Sequence, residues 1–141
     1  MLSVEVHVQD VTVDAPSADA LRTWFEHVVD QEDAPAHGHI SIVLCSDDAL
    51  LDMNRQFLDH HDLTDVITFP MSDQDDVLEG EIYISVDRVR DNAASLGESA
   101  DRELLRVIVH GLLHLCGYGD ATHEEKMRMR SREDAHLAHW A

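Results

Sequence analysis

The chain has 141 residues, the usual size of one domain and enough to bury a core without disulfide staples. It carries 29 Asp and Glu against 10 Lys and Arg, a formal charge of −19, with Lys126 as its single lysine. No apolar run reaches the roughly 18 residues that span a bilayer, so no membrane partner is expected, and the acid excess argues against holding a polyanion by bulk charge. The same excess suits a salt-rich cytoplasm, where screening offsets self-repulsion.

The opening "MLSVEVHVQD" sets Val4, Val6 and Val8 on one side of a strand over 3–8. It lacks a charged region followed by an apolar one, so no signal peptide is expected. Ser17 starts a helix bearing Leu21, Trp24, Phe25 and Val28 at helical spacing. A polar loop over 30–38 leads to a second strand, "HISIVLC" (39–45). Ser46, with Asp47 and Asp48 after it, reads as the N-cap and acidic first turn of a helix carrying Leu50, Leu51, Met53, Asn54 and Phe57. A third strand, "DVITFP" (65–70), is followed by an acidic loop over 71–80 and a fourth strand over 81–87. A helix from about 87 ends at Gly97, and Ser99 caps the next, which runs to Gly117. Thr122 and Glu125 form a capping-box pattern for a last helix to about His139.

These elements define a mixed α/β (α+β) class. One domain over 1–141 is expected, with a four-stranded mixed sheet backed by helices. The helix over 99–116 is apolar nearly all round, so it belongs at the centre of the fold. Cys45 and Cys116 sit in apolar runs and read as reduced core residues of a cytoplasmic protein.

"HGLLHLCGYGDATHEE" (110–125) carries the chemistry. His110 and His114 stand one turn apart on that buried helix, where an unsatisfied imidazole would cost about 1–3 kcal/mol. The full pattern, H-x-x-x-H-x-x-G-x-x-D, has metzincin-like spacing with aspartate in the last place. Gly117 lets the chain double back and offer a third side chain. Spacing points to Asp120; His123 is the alternative, although it follows the N-cap Thr122 and should be led away. Two imidazoles favour zinc, and the carboxylate keeps manganese and nickel in play. The glutamate that serves H-E-x-x-H peptidases as base is replaced by Gly111. That glycine reads either as close helix-on-strand packing or as room for substrate.

"HGLLHLCGYGD", "LTDVITFP" (63–70) and "GEIYISVDRVRDNA" (80–93) resemble the signature segments of the YbeY family of endoribonucleases. The likeness runs in order over roughly residues 40 to 135. It implies a zincin-like α/β fold with one zinc ion. It also implies cleavage of single-stranded RNA, a role in 16S rRNA 3′-end maturation and ribosome quality control, and RNA precursor or the small ribosomal subunit and its proteins, but not DNA, as partners. By position, His110 and His114 match the family's first two metal ligands, with His114 also taken as catalytic. Asp120 falls where the family usually has a third histidine. Leu58 stands where the family often has an RNA-binding arginine, with Arg55 nearby. His123 and Asp65 are acid/base candidates. Arg102, Arg106, Lys126, Arg128, Arg130 and Arg132 form either a basic rim around the site or ordinary pairs with Glu125, Glu133 and Asp134. A metallopeptidase-like hydrolase and a non-catalytic assembly factor with a structural metal are the competing functions.

Overall fold

Apolar alternation becomes a mixed sheet in the computed structural model, which describes residues 1–58 and 63–140. β1 (Leu2–Val8) pairs in parallel with β2 (Gly38–Cys45), and β2 in parallel with β4 (Leu78–Ser85). β3 (Val66–Pro70) lies antiparallel on the far edge of β4, giving the order β1-β2-β4-β3. Five helices among the described residues complete the chain: α1 (Ala18–Gln31), α2 (Asp47–Leu58), α3 (Val86–Leu96), α4 (Ala100–Leu115) and α5 (His123–Leu137).

The two-residue period of the strands divides the core. Ile40, Ile42 and Leu44 of β2 and Ile82 and Ile84 of β4 pack with Phe25 and Val28 of α1 and Ile108 and Leu112 of α4. Each such side chain contributes about 1.5–3 kcal/mol by leaving water. The opposite face is covered in part by α2, over a smaller cluster of Cys45, Leu50 and Ile67. The expected central helix is α4: Leu104, Val107, Ile108, Val109, Gly111, Leu112 and Leu113 are all buried, and it packs on β3, β4, α3 and α5.

Four readings of the sequence are refined. The fourth strand begins at Leu78, not Glu81, because its register with β2 extends back to the Gly38–Leu78 pair. Its last residue, Ser85, caps α3 by accepting a hydrogen bond from the Arg88 amide. The inward stripe of β1 is Leu2, which is buried, with Val4 and Val6 partly buried; Val8 is exposed beyond it. On α2 only Leu50 and Asn54 are buried, and Phe57 is exposed. Gly38 explains the tight pairing at the strand start: its φ is 147°, and a Cβ there would stand 1.8 Å from the Leu78 carbonyl oxygen.

Candidate metal centre

The site is built at the C-terminal end of α4. Gly117 takes a φ of 107°, and the Gly117 and Tyr118 amides return to the His114 and Leu113 carbonyls, a Schellman closure of the helix. The chain then reverses, and Thr122 restarts it as α5. The expected capping box is present, with the Glu125 amide donating to Thr122 Oγ1 and the Thr122 amide to Glu125 Oε1. Between these two caps Asp120 is turned back over the histidines.

The nitrogens His110 Nε2 and His114 Nε2 are 3.0 Å apart, and Asp120 Oδ2 lies 3.3 Å from the first and 3.4 Å from the second. Ligands on a tetrahedral zinc at about 2.0–2.1 Å stand about 3.3–3.4 Å from one another, so this donor set has the size of one face of such a site. His123 is exposed in the first turn of α5 and is not part of the group.

The outer nitrogens decide what the inner ones can do. His114 Nδ1 lies 2.9 Å from the Tyr118 carbonyl oxygen, and His110 Nδ1 lies 2.6 Å from Glu133 Oε2. Both partners only accept, so each Nδ1 carries the proton and each Nε2 presents a lone pair. Two lone pairs and a carboxylate oxygen then face one point, an arrangement that calls for a cation between them. The surrounding charge favours a cation at this point, whether a proton on Nε2 or a metal ion in its place. Burial pulls the His110 imidazole down, but the hydrogen bond and charge of Glu133, with Asp120 and Asp65, outweigh it and hold the group above the ordinary histidine value.

Glu133 is a residue that sequence reasoning named only as a surface pairing partner. It is buried, and its other oxygen accepts from Arg106 at 3.0 Å, while Arg106 also reaches Asp134 at 2.6 Å. Glu32 was missed altogether. It caps the end of α1 with its side chain only 6% exposed, and receives Tyr118 Oη at 2.5 Å, Arg132 Nε at 2.8 Å and His136 Nε2 at 2.5 Å. It thus fixes the residue whose carbonyl orients His114.

Gly111 is settled by packing. A Cβ there would come within 2.7 Å of Ile82 Cγ2, so the glycine brings α4 close to β4 and does not open space beside the histidines. Two cavities flank the histidine pair. The larger, of about 620 Å³, runs along β3 and is lined by Asn54, Leu58, Thr64, Asp65, His110 and Asp120, among others. Leu58 gives it an apolar wall; Arg55 is exposed and does not line it. The smaller, of about 360 Å³, lies between α4 and α5. Asp65 lines both cavities, and its carboxyl is pushed up, by burial first, against the pull of His110.

The basic rim is sorted by partner. Arg102 pairs with Glu98 at 3.9 Å, Arg106 with Glu133 and Asp134, and Arg132 with Glu32. The pairs of Arg106 and Arg132 join different elements, unlike the pairing along one helix that was one of the two expectations. Among the described residues Lys126, Arg128 and Arg130 form no ion pair. Cys45 and Cys116 are free, and burial pushes their thiols up to about 11 and about 12, so neither is a thiolate near neutrality.

A mixed four-stranded sheet, a buried helix carrying two inward imidazoles, and a carboxylate returned over them define a compact α/β protein of metal-hydrolase type. Comparison with known proteins narrows this class. The family described as Endoribonuclease YbeY matches residues 3–141. Endoribonuclease YbeY of Cytophaga hutchinsonii is 47% identical over 118 residues, covering 84% of this chain and 82% of the relative. That of Parabacteroides distasonis is 34% identical over 137 residues, covering 97% and 95%. The solution structure of TM1509 from Thermotoga maritima superposes with a TM-score of 0.61 at 26% identity, covering 99% of this chain and 91% of that one. The chain belongs to the YbeY family.

Proposed function

We propose that this chain is a zinc-dependent endoribonuclease of single-stranded RNA. In this reading residues 1–141 act as one hydrolase domain in the cytoplasm, on the 3′ end of 16S rRNA precursor and in ribosome quality control, in contact with the small ribosomal subunit or its proteins. The relatives named Endoribonuclease YbeY support the activity. The observation that carries it is the convergence of His110 Nε2, His114 Nε2 and Asp120 Oδ2, with both Nδ1 protons already committed to Glu133 and Tyr118.

His110, His114 and Asp120 would hold the ion. Bound there, zinc supplies a nucleophile from water near neutral pH and positive charge for the phosphoryl oxygens. His114 counts as catalytic in this sense, since its lone pair sets the ion beside the substrate. Glu133 and the Tyr118 carbonyl keep the imidazoles in the ligating tautomer. Asp65, lining both cavities, is placed to take or return a proton during transfer. The groove along β3 receives the strand, with Leu58 giving one base an apolar surface.

The test is cleavage of a single-stranded RNA, with casein as the alternative substrate, with and without chelator. RNA cleavage that stops on chelation and in His114→Ala, while the protein stays folded, is expected. Undiminished cleavage by metal-free protein removes the mechanism. Casein cleavage favours a peptidase, and no cleavage of either favours a docking role. Metal content of Asp120→Ala beside His123→Ala tests the third ligand: the first should lose metal and the second retain it, and the reverse would overturn the assignment.

A further inference from the structure

The smaller cavity shares His110 and Asp120 with the metal centre but opens on its other side, between α4 and α5. Lys126 and Arg130 stand on its rim, one turn apart on α5. Among the described residues five of the ten cations, Arg22, Arg88, Arg102, Arg106 and Arg132, sit in ion pairs with carboxylates. Arg88 is bound to Asp47, Arg106 to Glu133 and Arg132 to Glu32. Among the described residues Lys126 and Arg130 have no ion pair, and they line this cavity together with His110 and Asp120 of the metal centre.

The floor of the cavity gives a second, independent signal. Glu103 is 6% exposed and lines it, and its Oε1 is buried with no hydrogen-bond partner among the described residues. A buried acceptor left unmade costs about 1–3 kcal/mol, so a ligand that brings a donor gains there. Inorganic phosphate in its ionised forms brings little; a ribose hydroxyl brings one in every ribonucleotide, whatever its base. Asp65 also lines the cavity, and two of the cavity's other acids are engaged. Glu133 is tied to Arg106 and His110, and Asp120 faces the two imidazoles.

We propose that the α4–α5 cavity is a second nucleotide subsite, adjoining the scissile one, in which Lys126 and Arg130 hold the phosphate and Glu103 accepts from the ribose 2′-hydroxyl. The proposal rests on the nuclease reading for the identity of the ligand. It makes recognition of the strand two-sided: one stretch lies in the groove along β3, and the next nucleotide turns past the metal centre into the gap between the helices. It also bears on how so acidic a protein holds RNA, since two local cations with no ion pair among the described residues act where the net charge opposes.

The experiment measures binding of a fluorescent single-stranded RNA octamer to metal-loaded protein. Anisotropy is recorded in the first seconds after mixing, before turnover, over a range of KCl. Lys126→Gln/Arg130→Gln is compared with Arg128→Gln, which removes a cation from the same helix but lines a different cavity, beside Gly117 and Gly119. The double variant is expected to weaken binding about 10-fold or more and to flatten the salt slope by about 0.7, the share of the one phosphate no longer neutralised. Arg128→Gln should stay within about two-fold of wild type. A double variant within two-fold of wild type, or an equal loss in Arg128→Gln, overturns the subsite. For the floor of the cavity, wild type should prefer the RNA octamer to its 2′-deoxy counterpart several-fold, and Glu103→Ala should erase that preference; an unchanged preference removes the role of Glu103. Cleavage is scored separately. Wild type that binds with this pattern but does not cut RNA leaves the subsite standing and removes the nuclease.

Discussion

Two glutamates with side chains turned out of solvent hold the chain around α4, and they do different things. Glu133, from α5, meets an imidazole on one side and Arg106 on the other. Glu32, from the end of α1, meets Tyr118, Arg132 and His136 and touches no ligand atom. The first sets the protonation of the site; the second sets the position of the loop that completes it. Burial and hydrogen bonding are similar in both, so the surroundings and not the residue type assign the role.

The contrast is broken most forcefully at Glu32. Glu32→Ala leaves three donors, on Tyr118, Arg132 and His136, without their acceptor, which costs about 1–3 kcal/mol for each one that stays buried. Chemical denaturation should show that loss, with metal affinity falling only as the protein unfolds. Glu133→Gln should do the reverse: a 10–100-fold loss of metal affinity by competition titration, the usual effect of removing a ligand's outer partner, with a smaller change in stability. Equal stability losses in the two variants would erase the distinction.

Acid provides a gentler test. Burial alone raises Glu32, but hydrogen bonds from Tyr118, His136 and Arg132 outweigh it and hold the carboxyl below the ordinary glutamate value. Burial holds His136 below the ordinary histidine value, against the pull of Glu32. In both, the unfolded chain binds the proton first, so each contributes stability that is present above its unfolded value and lost as pH falls through its folded one. Stability should fall from about pH 6.5 downward for His136 and further below about pH 4.5 for Glu32. Glu32→Gln should flatten the lower window; an unchanged pH profile would separate the network from acid sensitivity. The smallest expected effect is general. Tm should climb by roughly 5 °C between dilute buffer and molar KCl as −19 of charge is screened, and a flat or falling Tm removes the salt-adaptation reading.

What was legible in the sequence was local. Helical spacing in α1, alternation in β2, the cap at Ser99, the stop at Gly117 and the box at Thr122 and Glu125 all concern residues within a turn or two of one another, and they held. So did the turning of Asp120 toward the histidine pair, because a Schellman closure is itself local. The tertiary partners were not legible. Glu133 lies 23 residues from His110, and Glu32 lies 86 from Tyr118; nothing in their neighbourhoods marks them as buried. The same limit misplaced the start of β4, whose first residues look like loop until β2 is laid beside them. It also left Gly111 ambiguous until Ile82 was seen against it.

The three inward-facing donors all lie between residues 110 and 120, while the carboxylates that hold His110 and Tyr118, Glu133 and Glu32, come from outside that stretch. An unfolded molecule therefore keeps the same three side chains within one short stretch and offers them to metal as well. Ligand that binds both states stabilises the native one only by the difference between them. Saturating zinc should thus raise the melting temperature less than its affinity for the folded protein would suggest. Nascent chain can also acquire the ion before α5 has docked, so metal capture need not wait for folding to finish.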